Sequence, residues 1–332
     1  MSLARFLVKR ALQGVFVVWG VVTVVFGLRV IAPGEPENVL LPPDVSAETR
    51  RQVVAELGLD QPLHIQYLDY LAGLPFGDMG TSLVTSTSAA GRVFSKLPAT
   101  LEMALAATIV AIVIAIPLGV ISATRRHDPA DYAATSFSLV GISTPNFWLG
   151  IMLIIVFAVQ LDIFPTSRRP VGIDAVFAEV LALQFGAALA TLQTWLYHIT
   201  LPSIALGTYF TALITRLTRS GMIEELGRDY VRSARAKGLP ETLVRYKHAL
   251  RNTLIPIITV LGLQLGTLIG GAVITEAVFN WPGLGTLVIN SIESRDWPTV
   301  QACIIIIGVG FVILNIVVDA LYTYVNPQVE FD

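Results

Sequence analysis

The most polar run of the sequence, residues 228–256, carries the side chains best suited to contact another molecule. It reads RDYVRSARAKGLPETLVRYKHALRNTLIP and lies between two long apolar segments. Its basic and small residues could grip a groove on a partner protein, which is binding rather than catalysis. Alternatively, the run is a solvated basic loop of the kind that marks the cytoplasmic side of membrane proteins. Charge alone would satisfy that rule, and the turn between two helices described next would not be needed for it.

The spacing of residues in this run predicts two helices joined by a sharp turn. Glu224 and Arg228 are four residues apart, as are Glu241 and Arg245, and acid–base pairs at this spacing stabilise helices. Gly238 lies between the two pairs and suits the left-handed position that ends many helices. The sequence therefore predicts a helix that ends at Gly238 and a second helix after it.

The first of these helices would present a shallow surface with a few gripping side chains. Ser233, Ala234 and Ala236 are small, so the groove of a partner could approach closely. Tyr230 and the neighbouring arginines would supply contacts, and Pro240 suits the first turn of the second helix. The sequence therefore predicts a docking element of helix–turn–helix form.

No catalytic or metal-binding pattern accompanies this element. A P-loop needs Gly-Lys followed by Ser or Thr to cradle phosphates, and no lysine of this sequence follows a glycine. The four histidines are scattered, no G-x-S-x-G turn occurs, and the one cysteine, Cys303, suits packing in an apolar run. Asp319 lies in a later apolar run, and the polar residue that we identify on the same helical face is Asn315. We therefore expect a non-enzymatic chain with no metal, no cofactor of its own and no nucleic-acid partner.

The elements around the polar run are predicted to span a membrane. Of the 332 residues, 54% are hydrophobic and 14% charged, against about 25% charged in soluble domains, and the mean hydropathy is +0.69. Residues 175–197 are interpreted as an interfacial amphipathic helix, because a further span would put a basic segment on the wrong side. The fold class is therefore an all-α membrane protein with six spans. These cover residues 11–32, 97–123, 132–160, 199–217, 254–276 and 300–325.

Positive charge sets the predicted orientation. The side that holds residues 228–256 carries about twice as many Lys and Arg residues as the other side, so it is assigned to the cytoplasm. Six spans then place both termini inside. The predicted domains are residues 1–32 with the first span, an extracytoplasmic helical segment at 33–96, a core at 97–325 that contains the loop 220–253, and a cytoplasmic tail at 326–332.

Several local features refine this topology. Pro117 predicts a kink in the second span, and Arg29 at the far end of the first span could extend to the interface. Residues 143–146, Ser-Thr-Pro-Asn, fit either plain packing or a backbone opened onto a water-filled path. The acidic outside segment is predicted to hold helices at 48–57 and 63–71. It fits either a solvated connector or a contact surface for a substrate-delivering partner.

Several stretches resemble, in order, parts of the permeases of ATP-binding-cassette importers. Ser233-Ala234 followed by Gly238 is similar to the cytoplasmic "EAA" loop of these proteins, and YVRSARAKGL…HALRNTLIP resembles the peptide and nickel importer branch. The resemblance extends along nearly the whole chain and implies the importer-type permease fold of the first subunit of dipeptide or oligopeptide permeases. Its other segments are LRVIAPGEP (28–36), ELGLDQPLHIQYLDYL (56–71), GDMGTSL (77–83) and LGLQLGTLIGGAVITEAVFNWPGLG (261–285).

The resemblance implies one permease subunit of an ATP-driven importer for di- or oligopeptides, with nickel or glutathione as alternative substrates. It also implies a second homologous permease, two ATPase subunits or a fused pair that hold ATP and Mg, and an extracytoplasmic substrate-binding protein. Arg232 replaces the Glu of the general motif, and Leu250-Arg251 replaces its Leu-Pro, so the salt link of that Glu should not be assumed here. The predicted ATPase-coupling residues are Asp229, Tyr230, Arg232, Ser233, Ala234, Arg235, Lys237 and Gly238.

A second set of candidate residues lies in the predicted fifth span and the turn after it. Glycines at four-residue spacing permit close helix approach, for which packing is the simplest interpretation, and the resemblance places them near a subunit interface and the pathway. The candidate pathway or interface residues are Gly262, Gln264, Gly266, Gly270, Gly271 and Glu276, and the candidate outer gate or binding-protein contacts are Asn280, Trp281, Pro282 and Gly283.

A channel or an ion-coupled secondary transporter is the alternative from another class. Such a protein needs ionisable groups in the membrane that bind or relay ions. Arg29, Glu276 and Asp319 are the only candidates that we identify in the sequence, and each is near the end of a predicted span. Import driven by a separate ATPase is therefore the preferred hypothesis.

Overall fold

The computed structural model describes residues 3–31, 41, 45–56, 58–166 and 168–325. The protein is all-helical, as predicted, and in these ranges an isolated bridge between Thr81 and Ser88 is the extended pairing observed. The first helices are α1 (Leu3–Ile31), α2 (Ala47–Glu56), α3 (Leu63–Gly73), α4 (Ala89–Thr124), α5 (Pro129–Ser143) and α6 (Asn146–Leu153), which continues as a π-helix over Ile154–Gln160.

The remaining helices contain the polar run. They are α7 (Ile173–Leu181), α8 (Phe185–Leu226), α9 (Asp229–Ala236), α10 (Glu241–Leu243) with a π-helix over Val244–Ala249, α11 (Leu250–Val278), α12 (Leu284–Glu293) and α13 (Trp297–Val325). The two helices predicted outside the spans, at 48–57 and 63–71, correspond to α2 and α3 within two residues. The predicted tail, 326–332, lies outside the described residues.

Three of the described helices are long and apolar enough to cross a membrane. They cover Val8–Ile31, Ala89–Thr124 and Trp297–Ala320, and the pair α5 and α6 would add a fourth span if it is counted as one. The first three helices agree with the predicted first, second and sixth spans, and the pair α5 and α6 agrees with the predicted third span. The predicted total of six spans stays a prediction, as do the fourth and fifth spans on α8 and α11.

The third predicted span is not a straight helix. The chain bends by 109° between α5 and α6. Thr144 is extended there, with φ −88° and ψ 123°, because a residue before proline avoids the helical region. Pro145 adds no backbone N–H to continue the helix. Thr144 and Pro145 therefore divide this segment, whereas Pro117 lies within the single 36-residue helix α4.

The amphipathic segment predicted at 175–197 divides into two parts. α7 ends at Leu181, Leu183 takes a left-handed φ of +58°, and α8 starts at Phe185. From there α8 runs without a break through the predicted fourth span, so residues 185–197 belong to the same helix as that span. The prediction of one separate helix was therefore wrong at its second half, since α8 continues unbroken from Phe185 through Pro202, which it accommodates.

Two compact units are distinguished by their internal contacts, residues 1–100 with 282–316 and residues 101–281 with 317–332. The first has an apolar core in which Val22 of α1, Val93 of α4 and Leu284 of α12 pack together with Cys303 of α13. Tyr70 places one side of α3 against this core. Cys303 is fully buried there, which confirms its predicted role in packing.

A buried carboxylate joins three segments of the first unit. Asp296, just before α13, accepts hydrogen bonds from the Ser82 hydroxyl at 2.6 Å and the Leu83 N–H at 3.0 Å. It also accepts from the Arg92 guanidinium at 2.5 Å and the Thr299 hydroxyl at 2.7 Å. The loop before α4, the start of α4 and the start of α13 are therefore held by one group that is inaccessible to solvent.

The second unit is built on close contact of helices with α8. A Cβ on Gly207 of α8 would lie 2.7 Å from the carbonyl oxygen of Ala107 on α4. A Cβ on Gly119 of α4 would collide with Thr218 and lie 2.9 Å from the Thr215 carbonyl oxygen. Since neither position has room for a side chain, these glycines allow α4 and α8 to pack with their backbones close together.

Replacing Asp296 with alanine is expected to destabilise the protein by about 3 kcal/mol, because Arg92 would keep its partly buried charge without a partner. This value is at the lower end of the range of about 3–5 kcal/mol for breaking a buried ion pair, because the Arg92 side chain is 25% exposed. The thermal unfolding temperature of the purified protein in detergent measures the effect. Glu293→Ala removes an exposed carboxylate nearby and serves as the control. Equal unfolding temperatures for the two variants would contradict this role of Asp296.

Candidate functional site

The polar run folds as a helix, a turn and a second helical segment, as predicted. α8 ends at Leu226, and Arg228 is extended, with φ −74° and ψ 155°, before α9 begins. Asp229 in the first turn of α9 and Arg235 in its last turn each match the polarity of the helix ends. Pro240 occupies the position just before α10, one residue earlier than its predicted place in the first turn.

Gly238 closes α9 in the left-handed conformation that the sequence predicts. Its φ is +74°, its N–H donates to the Arg235 carbonyl at 2.9 Å, and the Leu239 N–H donates to the Ala234 carbonyl at 3.3 Å. This pair of bonds is the Schellman arrangement, which satisfies carbonyls at a helix end. A Cβ at residue 238 would meet no atom within 4 Å. The position therefore restricts side chains through backbone conformation, not through crowding within the chain.

A small apolar core holds the two halves of the loop together. Val231 and Val244 are fully buried and pack with Ala234, with Leu226 and Leu239 against them. The expectation that Ala234 forms part of an open docking surface was wrong, because its side chain is only 8% exposed. It faces the second helical segment from the inner side of α9.

The outer side of α9 is exposed and basic. Ser233, Ala236 and Lys237 are exposed. Arg232 is also exposed and forms an ion pair with Asp229 at 3.2 Å. These residues present small side chains and positive charge to the surroundings, which is the surface that the sequence predicts apart from Ala234.

Glu241 acts as a clamp on the turn, because it pairs with one arginine before Gly238 and one after it. Its carboxylate accepts hydrogen bonds from the Arg235 Nη2 at 2.9 Å and Nε at 3.2 Å, and from the Arg245 Nε at 3.1 Å. The hydrogen bonds from Arg235, followed by those from Arg245, lower the pKa of Glu241 to about 2. One acid therefore joins α9 to the segment after the turn, beyond the predicted link to Arg245.

Tyr230 links α9 to the helices on either side of the loop. Its hydroxyl donates to the Glu225 carboxylate at 2.5 Å and accepts from the Asn252 amide at 3.1 Å. Burial, and then the hydrogen bond to Glu225, raise the pKa of Tyr230. Glu225 is also paired with Arg228 at 3.0 Å, and the predicted pair of Arg228 with Glu224 is present at 2.7 Å.

The glycines of α11 do not form one uniform surface. A Cβ on Gly262 would overlap Val318 of α13, whereas at Gly270 a Cβ would meet no atom within 4 Å, and Gly266 is buried. Gly262 therefore packs within the chain, and Gly270 is open to an approaching helix. The surroundings of Gln264 and Gly271 fall outside what the structure describes.

The end of α11 and its following turn are mostly buried. The side chains of Glu276 and Trp281 are 0% and 1% exposed, and the Trp281 N–H donates to the Glu276 carbonyl at 2.8 Å. Gly283 is buried and Pro282 is half-buried, while Asn280 is exposed with a left-handed φ of +46°. Of the candidate binding-protein contacts, Asn280 is the one with an exposed side chain.

Comparison with known proteins identifies the family. Residues 115–331 match the family described as "Binding-protein-dependent transport system inner membrane component", and residues 3–104 match its N-terminal counterpart. The chain belongs to this family of permeases. The permease is also 38% identical over 330 residues to the oligopeptide transport system permease protein AppB of Bacillus subtilis (strain 168), covering 99% of this chain and 100% of that protein.

Two further relatives cover nearly the whole permease. The dipeptide transport system permease protein DppB of Escherichia coli (strain K12) is 39% identical over 321 residues, 94% of each chain. The glutathione transport system permease protein GsiC of Escherichia coli O6:H1 is 36% identical over 327 residues, 98% of this chain and 99% of that protein. The predicted resemblance to a peptide-type importer permease is confirmed, and the permease is a multi-pass membrane protein and a transport subunit.

The structure adds an ionisable group that the sequence analysis overlooked. Glu102 lies within the predicted second span and is buried, so Arg29, Glu276 and Asp319 were not the only ionisable candidates. Its carboxylate accepts from the Arg169 Nη2 at 2.6 Å and Nε at 2.9 Å. A bidentate pair of this kind stabilises structure and leaves little free charge for ion relay. Glu102 therefore adds no support for an ion-coupled transporter.

Two other charged groups, Arg29 and Asp131, also have partners in the described part of the chain. Arg29 donates to the Gln66 side chain at 3.4 Å and lies 5.9 Å from the centre of the Phe26 ring. On the second unit, Asp131 of α5 accepts two hydrogen bonds from Arg219 of α8, at 2.6 and 2.9 Å, and one from Ser122. The only sequence signal for the pair of Asp131 and Arg219 is the rarity of charge beside apolar spans, which does not identify the partner.

Glu241→Gln is expected to loosen the turn around Gly238, because a neutral amide cannot pair with two arginines. Exposed pairs contribute about 0.3–1 kcal/mol each, so loss of both pairs should accelerate amide hydrogen exchange across residues 235–245 about three- to thirtyfold at pH 7. Glu224→Gln removes the same charge from a pair that does not cross the turn and is the control. Equal exchange in both variants would contradict the clamp.

The same clamp has a predictable pH dependence. The pKa of Glu241 falls from 4.5 to about 2 in the folded loop. Its stabilisation is therefore fully present above pH 4.5 and is lost as the pH falls through about 2. Exchange in the wild-type turn, corrected for the intrinsic rate, should approach that of Glu241→Gln only below this window.

Proposed function

We propose that this chain is one of two transmembrane permease subunits in an ATP-driven importer of di- or oligopeptides. The observation that carries the proposal is the identity of 38–39% to oligopeptide and dipeptide permeases over 94% or more of the chain. The glutathione permease at 36% identity supports glutathione as a second candidate substrate. Selectivity in such a system would reside largely in a separate binding protein.

The proposed partners follow from what the sequence lacks and what the loop presents. No lysine follows a glycine in this chain, so ATP would be held by separate ATPase subunits with Mg. A second homologous permease would complete the pathway, and a substrate-binding protein would dock on the outer side. The distribution of Lys and Arg supports cytoplasmic termini and a cytoplasmic loop.

The loop at residues 220–253 is the proposed coupling element. Its outer face offers Arg232, Ser233, Ala236 and Lys237 to a cleft on the ATPase, and Gly238 lets the chain turn without a protruding side chain. ATP binding would move the docked loops together, and α11 would carry that motion into the membrane. Substrate and nucleotide must bias the same two conformations for this coupling to work.

Transport in reconstituted vesicles tests the proposed function. The complex of this chain with its partner permease, ATPases and binding protein should accumulate radiolabelled dipeptide only when ATP is supplied. Glutathione and Ni²⁺ in excess should compete poorly if peptides are the substrate. Uptake driven by an ion gradient without ATP would overturn the proposal, and complete competition by glutathione would favour the second candidate.

Gly238→Val should separate ATP hydrolysis from uptake while the complex still reaches the membrane. A β-branched residue is strained at positive φ, so the backbone at the C-terminal end of α9 would adopt a different conformation. Peptide uptake should fall at least tenfold relative to ATP hydrolysis. Gly238→Asn tolerates the left-handed conformation and should retain more coupling, and Gly227→Ala, at φ −83° in the same loop, is the control. Unchanged transport in Gly238→Val would count against the docking role.

A further inference from the structure

A basic pocket lies beside the loop, between α9 and the start of α11. It has a volume of about 590 Å³, and its lining includes Tyr230, Lys247, His248 and Arg251. We infer that this pocket binds the phosphate headgroup of an anionic phospholipid. The site is separate from the exposed outer face of α9, and the inference depends on the predicted fifth span but not on ATPase docking.

The positive charges of the pocket are available to a ligand. Among the described residues, no ion pair joins Lys247 or Arg251 to a carboxylate, whereas the other arginines of the loop are each paired with an acid: Arg228, Arg232, Arg235 and Arg245. Lys247 and Arg251 are both exposed, and they are four residues apart, so they lie on one face of the chain. An anion in the pocket would meet two cations that are not already neutralised.

One acid, Glu225, contacts two lining residues of this pocket and already has a positively charged partner. Glu225 is paired with Arg228 at 3.0 Å and accepts the Tyr230 hydroxyl at 2.5 Å. The Asn252 amide donates to Tyr230 at 3.1 Å and to Glu225 at 3.4 Å. These contacts compensate the carboxylate and leave the net charge of the pocket positive.

The pocket also has an apolar end. Leu254 and Ile258 continue its lining along α11, one and two turns after Arg251, which corresponds to about 5 and 10 Å along the helix axis. Ile258 is 37% exposed. A phospholipid, with a charged headgroup and an acyl chain, matches both ends of this lining, whereas free phosphate or an acidic peptide segment would use the basic end alone.

The position of the pocket on the chain agrees with a lipid ligand. The predicted fifth span begins near residue 254, so Lys247 and Arg251 would lie at the headgroup level and Ile258 at the edge of the hydrocarbon. Basic pockets at this level are typical sites for anionic headgroups. The inference therefore combines charge, apolar lining and depth at one place.

Lipid binding by the purified full-length chain tests this inference. Phosphatidylglycerol is titrated into the protein in neutral detergent, and the first bound lipid is quantified by native mass spectrometry. The double variant Lys247→Gln/Arg251→Gln should weaken that binding about 25-fold. Each basic residue near the membrane surface contributes about fivefold to the affinity, and two of them are removed. Arg125→Gln/Arg126→Gln removes two exposed charges from another turn and should change it less than twofold. Lys247→Arg/Arg251→Lys should retain binding and guards against a folding defect.

Four outcomes would overturn the inference. Equal loss in the pocket variant and the control would indicate unspecific attraction, and no loss in the pocket variant would exclude the site. Competition by inorganic phosphate at the same concentration as phosphatidylglycerol would indicate a simple anion site. The variant Leu254→Ser should then leave binding at this site unchanged. An acidic protein segment is the remaining alternative ligand. In that case the pocket variant would still bind lipid, but its affinity for the ATPase subunits would fall equally in neutral and in anionic nanodiscs. None of these readouts depends on ATP-driven transport.

Discussion

A carboxylate that is removed from water must be matched by a positive charge and hydrogen bonds, and this constraint organises each unit of the permease. Asp296 meets Arg92 in the first unit, and Glu102 meets Arg169 in the second. Each carboxylate is almost inaccessible to solvent, and each arginine comes from a distant part of the sequence. Breaking such a pair costs far more than forming it contributes. These pairs therefore restrict which segments can be neighbours more than they add to overall stability.

The loop follows the opposite principle, since its interactions are local and its ion pairs are exposed. The clamp of Glu241 on Arg235 and Arg245 spans eleven residues, and the buried trio of Val231, Ala234 and Val244 lies within fourteen. Local contacts require little ordering of the rest of the chain. The shape of the loop therefore depends mainly on residues within the loop itself.

This difference explains what the sequence could and could not predict. The turn at Gly238 and the pair of Glu241 with Arg245 depend on neighbours in sequence, and both were predicted. The partner of Asp296 lies 204 residues away, a distance over which residue spacing carries no information. The bend at Thr144 was available from the proline that follows it, but the sequence left residues 143–146 open between plain packing and a backbone opened onto a water-filled path. Ala234 was misplaced because a small residue suits an exposed groove and a tight core equally.

The connection from the loop to α11 bears on how motion would be transmitted in the proposed role. The chain passes from Gly238 to α11 through a π-helix at residues 244–249, a conformation that is rare and found mostly as short bulges. A π-helix alone could absorb a displacement of α9. The Tyr230 hydroxyl, however, accepts a hydrogen bond from Asn252, which lies beyond the π-helix on α11. Because this bond and the chain itself form two links in parallel, a displacement of α9 in the proposed role would reach α11 without depending on the stiffness of the π-helix.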